Sequence, residues 1–154
     1  MNSKKFLVIL LLGASFAFPV DDRHRFFTDI GNSQYYIQDI LKANWQTAFM
    51  LCRKHGLHLL SVDKQSQISL IEFLSQKEWK EKLFWTSGTD SLLTSWYWID
   101  IGEPFEEVST ELEDDYNTDN HCLGVKGKTF YRANCNSTYH FICEYRIDPS
   151  SRYF

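Results

Sequence analysis

The chain has 154 residues, of which 44% are hydrophobic and 16% aromatic. This length suits one domain and is short for two, and the apolar content supports a packed core and excludes a largely disordered chain. The formal net charge is −4, which argues against a nucleic-acid partner because such a partner requires a basic face.

The N-terminus has the pattern of a secretory signal peptide. Two lysines supply a positive start, and residues 6–12 form an apolar run. Ser15 and Ala17 are small residues two positions apart, which predicts cleavage after Ala17 and a signal peptide over residues 1–17. The apolar run is too short for a bilayer, which needs about 20 apolar residues. We therefore expect a secreted, extracellular protein without membrane insertion.

One strand and two helices are predicted next. Residues 18–32 show no clear period and are interpreted as an N-terminal linker segment, whereas residues 34–37 predict a strand. Asn44 can cap the first helix and Gly56 can end it. Its apolar positions at helical spacing are Trp45, Ala48, Phe49 and Cys52. After a short extended piece, Asp63 can cap a second helix. Its apolar stripe consists of Ile68, Ile71 and Leu74, with Leu70 beside them.

The rest of the chain predicts strands around one long acidic loop. Strands are predicted at residues 83–88, 96–99, 121–125, 129–132 and 139–145. Residues 103–120 contain eight acidic residues and no apolar period, which predicts a solvated loop, with a weak accessory calcium site in it as the alternative. The order of strand, two helices and several strands indicates an α+β fold.

The cysteine count is four, and an even count in an oxidising compartment predicts disulfides. The absence of a Cys-x-x-Cys pair gives little support to zinc or thioredoxin-like chemistry. Four cysteines permit three pairings. The pattern favours Cys52 with Cys143, which ties the first helix to the last strand, and Cys122 with Cys135, which ties two late strands.

Together these features resemble a C-type lectin-like domain of the short, secreted insect type. The motifs that carry the resemblance are the helix ending in Cys52, segments 85–88, 102–104 and 141–144, and Trp98, Cys122 and Cys135. Their order and spacing cover residues 33–145. The resemblance implies a double-loop α+β domain over residues 33–146, with two helices, antiparallel sheets and the disulfide pairing given above. Residues 147–154 would then form a C-terminal tail.

The resemblance also identifies the positions of a calcium and sugar site. Sugar-binding members hold calcium with a Glu-Pro-Asn type of triplet, whose proline is usually cis, a further Glu, and an Asn-Asp pair, since calcium prefers oxygen ligands. Carried over to this chain, the triplet is Glu103, Pro104 and Phe105, the further Glu is replaced by Asn120, and the Asn-Asp pair is replaced by Tyr131 and Arg132.

These substitutions predict that the usual calcium site is not formed. Arg132 stands where the metal would sit, and like charges 4 Å apart repel by roughly 4 kcal/mol at an effective dielectric near 20. Glu103 and Asn120 are the remaining candidate ligands for calcium, the one cofactor that the resemblance suggests. We interpret Glu103, Phe105, Asn120, Tyr131 and Arg132 as ligand-binding positions of a metal-free pocket in which Arg132 could pair with Glu103.

The resulting prediction is a secreted carbohydrate-binding module with a degenerate calcium site and a glycan or glycoprotein partner. The alternative is a protein-binding module of the same fold that has lost calcium-dependent sugar binding. We expect no catalysis, because the carboxylates cluster in a loop with no apolar shell to raise a pKa and the histidines form no nucleophile constellation.

Trp85, Trp96 and Trp98 are interpreted as core residues, and Trp96 is the best candidate among them for stacking on a ligand instead. Asn136 begins an Asn-Ser-Thr sequon, which predicts N-glycosylation on a surface loop.

Overall fold

The structure, a computed structural model, describes residues 27–62, 67–76, 78–91, 95–105, 112–114 and 121–146. The predicted signal peptide, the C-terminal tail, Asp63 and Asn120 lie outside these ranges, as does most of the acidic segment. The described elements, in chain order, are β1 (Thr28–Ile30), β2 (Ser33–Ala43), α1 (Trp45–Lys54), β3 (His58–Leu59), α2 (Gln67–Leu74), β4 (Phe84–Thr89), β5 (Tyr97–Trp98), β6 (Glu103–Pro104), β7 (Leu112–Asp114), β8 (Cys122–Lys126), β9 (Thr129–Ala133) and β10 (Tyr139–Tyr145).

The strands form one mixed sheet. Its main path runs β1-β2-β10-β4-β8-β9-β7, while β3 pairs with β10, and β5 joins β4 to β6. Most pairings are antiparallel, but β4 with β10 and β7 with β9 are parallel. The α+β class with two helices is confirmed, and the sheet is mixed rather than purely antiparallel.

Helix α1 begins and ends where its local sequence predicts. The backbone N–H of Thr47 donates to the side-chain oxygen of Asn44 at 2.9 Å, which satisfies one of the free amides of the first turn. Gly56 adopts a left-handed φ of 69°, and the N–H of Leu57 donates to the carbonyl of Cys52 at 2.9 Å. This is the Schellman arrangement that glycine favours after a helix. It leaves Cys52 buried on the inner side of α1.

Helix α2 buries a different face from the predicted one. Leu70 and Leu74 are fully buried and Phe73 packs beside them, whereas Ile68 is 68% exposed. With about 100° per residue, Leu70, Phe73 and Leu74 share one side and Ile68 lies roughly half a turn away. The inclusion of Ile68 in the apolar stripe was therefore wrong. No helix in the described ranges is long and apolar enough to cross a membrane.

Four stretches of strand differ from the sequence prediction. Strand β1 lies in the segment interpreted as a linker, and β2 continues to Ala43 instead of ending at residue 37. Both depend on partners, since β2 pairs with β1 along one edge and with β10 along the other. Likewise β6 and β7 lie in the predicted acidic loop and pair with β5 and β9.

Two groups of buried side chains fill the core. One contains Tyr35, Phe84, Trp98 and Phe130, and the other surrounds Trp85 and the buried cysteines. Both predicted disulfides are confirmed, and the Cα atoms are 5.5 Å apart in the Cys52–Cys143 bond and 5.3 Å apart in the Cys122–Cys135 bond.

Removing the two disulfides separately is expected to have unequal effects. The bonds close loops of 91 and 13 positions. In the chain-entropy account, closing the longer loop adds about 4 to 5 kcal/mol to the free energy of unfolding, and closing the shorter loop adds about 3 kcal/mol. We expect Cys52→Ala/Cys143→Ala to lower the free energy of unfolding more than Cys122→Ala/Cys135→Ala, measured by urea denaturation. The reverse order would mean that the short bond stabilises the native state by more than loop closure.

The stability is expected to depend on the protonation of His140 on β10. Burial lowers the pKa of His140 below its ordinary value of 6.5, and Lys42 and Lys82 lower it further, while Asp39 opposes them. The unfolded chain therefore takes up this proton at a higher pH than the folded chain, so stability falls as the pH drops from 6.5 towards the lowered pKa.

Urea denaturation from pH 8 to pH 5 measures this effect, and His140→Gln is expected to flatten the loss of stability below pH 6.5. His55→Gln is the control, since His55 is exposed after α1. The assignment to His140 fails if its variant keeps the full slope.

Candidate functional site

The β5–β6 hairpin presents the Glu-Pro pair that the sequence singled out. Trp98 pairs with Glu103 across the hairpin, and the backbone N–H of Phe105 donates to the carbonyl of Trp96 at 2.9 Å. The turn uses Gly102 at a φ of 69°, where a residue without a side chain is favoured. The hairpin is joined to the sheet through the pairing of β5 with β4. It therefore has a fixed position relative to β8 and β9.

Glu103 and Pro104 are both exposed on β6. The peptide bond before Pro104 is trans, whereas the resemblance implied cis. In the described part of the chain β6 pairs only with β5, so the missing N–H of Pro104 interrupts no second ladder.

Phe105 packs inward against two other aromatic rings. Its ring centre lies 5.2 Å from that of Trp98 and 5.5 Å from that of Phe130, and Trp98 and Phe130 are 5.8 Å apart. All three contacts are edge to face, and each such pair contributes roughly 0.5 to 1.5 kcal/mol beyond its buried area. The third triplet position therefore holds a packing residue that joins the hairpin to β9.

Arg132 on β9 lies over the indole of Trp96. The guanidinium carbon is 5.6 Å from the ring centre, which is within range of a cation–π contact. The ion pairs between described residues do not include one joining Arg132 to Glu103. Trp96 is partly exposed, while Trp85 and Trp98 are buried in the core, as expected for those two. A ligand-stacking role for Trp96 stays a prediction.

Tyr131 lies on the opposite face of β9 from these contacts. Successive residues of a strand point to opposite faces, and Phe130 is the residue that faces the aromatic cluster. Tyr131 instead lines a surface groove of about 590 Å³ with residues of the segment after α2 and of the β8–β9 turn. The structure does not bring Phe105 and Tyr131 to one rim, and Asn120 lies outside the described ranges.

The described donor set does not fit a calcium ion. Phe105 offers no side-chain oxygen, Arg132 brings a cation, and the Glu103 carboxylate stands on an exposed strand. Among the residues that the structure describes, no three or more His, Cys, Asp or Glu side chains are grouped so that they could hold a metal ion. Calcium needs six to eight oxygens, so the described positions alone do not form the family site.

A buried carboxylate that sequence reasoning missed holds the base of the hairpin. The side chain of Asp100 is fully buried, accepts the backbone N–H of Leu59 at 2.6 Å, and forms an ion pair with Arg53. His58 lies 3.3 Å from the same carboxylate. Asp100 thus joins the turn before β6 to α1 and β3. Its only sequence signal is a charged residue directly after an apolar strand.

A second polar contact lies where β8 begins. His121 Nδ1 is 2.7 Å from the Asp90 carboxylate, and the hydroxyl of Thr89 donates to the carbonyl of His121 at 2.6 Å. These contacts fix the start of β8 against the end of β4. Farther along the chain, Asn136 of the sequon is exposed in the turn that follows β9, and its glycosylation stays a prediction.

The sheet, the helices and the two disulfides together define a C-type lectin-like domain. The sequence model of the Lectin C-type domain matches residues 41–145, and the chain belongs to this family. The chain is 26% identical over 124 residues to lectin subunit alpha of Sarcophaga peregrina, in an alignment that covers 72% of this chain and 44% of that protein. The chain thus spans less than half of that relative.

Two solved structures show the same fold. The C-type lectin domain of murine dendritic cell inhibitory receptor 2, in complex with an N-glycan, matches with a TM-score of 0.65 and 17% identity, over 80% of this chain and 98% of that one. A calcium-independent type II antifreeze protein matches with a TM-score of 0.60 and 18% identity, over 78% of this chain and 91% of that one. At these identities the similarity establishes the fold alone.

Replacing Phe105 tests its packing contacts. Phe105→Ala removes two ring contacts and is expected to lower the free energy of unfolding by about 2 kcal/mol, less than for a fully buried ring. Phe105→Leu keeps much of the volume and is expected to cost less than about 1.5 kcal/mol. Urea denaturation measures both changes. Unchanged stability in Phe105→Ala would show that the ring does not hold the hairpin.

Proposed function

We propose that the chain is a secreted, non-catalytic carbohydrate-binding module whose sugar binding does not require calcium. The observation that carries this proposal is the pair of contacts at the expected metal position. There Phe105 packs into the aromatic cluster and Arg132 stacks on Trp96. A fold built for sugar binding is thereby combined with side chains that cannot coordinate the usual ion.

The carbohydrate part of the proposal is supported by the family and its members. The matched family is the Lectin C-type domain, the curated relative is named a lectin subunit, and one structural neighbour holds an N-glycan. A glycan or a glycoprotein is therefore the proposed partner. The absence of catalysis is proposed on the same ground, together with the lack of a nucleophile constellation in the sequence.

The calcium-independent part is supported by electrostatics. At an effective dielectric near 20, the Arg132 guanidinium alone would repel a divalent ion 4 Å away by roughly 8 kcal/mol, about as much as one carboxylate at that distance would attract it. A type II antifreeze protein of similar fold is named calcium-independent, so this fold can form without the metal. Glu103 could contribute a single carboxylate from its exposed strand, and Asn120 remains the other proposed ligand, too few for tight calcium binding.

Secretion is supported by the N-terminal pattern and by the disulfides. Residues 1–17 combine a positive start with a short apolar run and small residues before the proposed cleavage site. All four cysteines are paired, which is typical of an oxidising compartment. Glycosylation at Asn136 is proposed with secretion, since the sequon lies on an exposed turn.

Protein binding is the second candidate, and exposed apolar side chains favour it. Ile40 and Leu41 are 85% and 61% exposed where β2 bulges away from β10. The side-chain oxygen of Gln38 accepts the backbone N–H groups of both residues, at 3.1 and 3.0 Å, so the bulge has a fixed shape. Two neighbouring apolar side chains held in this way suit a protein contact.

A glycan array with and without a chelator tests the proposal. We expect the secreted chain to bind glycans with affinities that change less than twofold when calcium is removed, because Phe105 and Arg132 stand at expected ligand positions and cannot coordinate the ion. Glu103→Gln removes the described carboxylate of the triplet, and its glycan binding is expected to be as insensitive to the chelator as that of the parent. Loss of binding on chelation would replace the proposal with calcium-dependent recognition, and no glycan binding at all would favour the protein partner.

A further inference from the structure

A surface groove lies on the side of the sheet that Tyr131 faces, between two segments that connect secondary-structure elements. The β8–β9 turn begins with Gly127 at a φ of 55°, and a side chain there would come within 3.6 Å of the carbonyl oxygen of Lys80. The turn therefore lies directly against the segment between α2 and β4. The groove of about 590 Å³ runs between these two connections.

The groove concentrates positive charge on an acidic protein. Lys80, Lys126 and Lys128 line it together with a single carboxylate, Glu81. Three lysines against one glutamate give the described lining a net charge of 3 − 1 = +2, whereas the whole chain carries −4. Lys126 Nζ lies 3.1 Å from Glu81 Oε2, and an ion pair this exposed contributes little to stability. The net positive charge of this described lining suits an anionic ligand.

The uncharged part of the lining suits a sugar. Tyr131 offers an aromatic ring, and Ser75 and Thr129 offer hydroxyl oxygens. The Ser75 hydroxyl donates to the carbonyl of Ile71 at 2.6 Å, which leaves its oxygen free to accept from a ligand hydroxyl. An aromatic face with hydroxyls beside it can contact a pyranose ring, while lysines can contact sulfate or carboxylate groups on that ring.

We propose that this groove binds acidic glycans, those carrying sulfate or uronic acid groups, through Lys80, Lys128 and Tyr131. The inference rests on the proposed carbohydrate-binding function and names its substrate class. It also assigns a role to Tyr131, which stands at a metal-ligand position in the resemblance and here lies among lysines. Binding needs no metal, because the ligand's charge is met by ammonium groups instead of a calcium ion.

The test is a calorimetric titration, in a chelator, of the full secreted chain with a sulfated glycosaminoglycan oligosaccharide and with the same oligosaccharide after removal of its sulfates. Charge-assisted contacts from exposed lysines are worth a few-fold each in affinity. We expect the sulfated form to bind about tenfold more tightly, and raising the salt from 50 to 300 mM to weaken it by screening. The double variant Lys80→Ala/Lys128→Ala is expected to bind the sulfated oligosaccharide about tenfold more weakly than the parent.

The matched control is Lys42→Ala/Lys54→Ala, which removes the same charge from exposed positions outside the groove. We expect its affinity to stay within twofold of the parent. Equal losses in both double variants, or equal affinity for the two oligosaccharides, would overturn the groove as the site. A single-stranded polynucleotide of equal charge that binds as tightly would overturn the choice of a glycan.

The outcomes also separate this inference from the function on which it rests. If neutral glycans bind without calcium and the sulfated oligosaccharide gains nothing, the carbohydrate-binding proposal stands and the acidic-glycan groove is rejected. If neither neutral nor sulfated glycans bind, both are rejected. Thermal melting of each lysine variant verifies folding, and we expect these exposed substitutions to leave the melting temperature close to that of the parent.

Discussion

The disulfide between Cys52 and Cys143 is the constraint on which the rest of the fold depends. It joins α1 to β10, the strand that pairs with β2, β3 and β4. Strand β4 in turn pairs with β8, and β8 pairs with β9. Each element of the candidate site is therefore positioned by a series of pairings that starts at this bond. A shift of β10 would move the hairpin, the aromatic cluster and the groove together.

The β5–β6 hairpin is held by contacts within the chain. Carboxylate ligands that converge on a calcium ion repel one another when the ion leaves, which destabilises an empty site. Here Phe105, Trp98 and Phe130 attract one another directly. The Asp100 carboxylate finds its partners in the backbone of Leu59 and in Arg53. The hairpin is thus stabilised by contacts internal to the chain.

Sequence patterns predicted the features whose causes are local. Helix α1 was placed correctly because Asn44 and Gly56 fix its ends without help from the rest of the chain. The two disulfides followed from element order and the family resemblance. Strand β1 was missed because its three residues are too few to show a strand period, although its partner β2 follows directly after the turn at Gly31. The exposed side of Ile68 was missed because the packing of α2 against the core decides which face is buried. At the site, the substitutions were readable, but the inward packing of Phe105 depends on Phe130, which is 25 positions away in the chain.

Two adjacent residues on β9 separate the expected metal position from the groove. Arg132 shares its face with Phe130 and stacks on Trp96, which fills the position where a metal ligand would stand. Tyr131 points to the other face and lines the basic groove. In the proposed site, these two residues therefore have separate roles. Arg132 would oppose a divalent ion, and Tyr131 would add an aromatic ring on the face where lysines supply the positive charge. A lectin domain could in this way exchange a metal-mediated sugar contact for a charge-mediated one without changing its sheet.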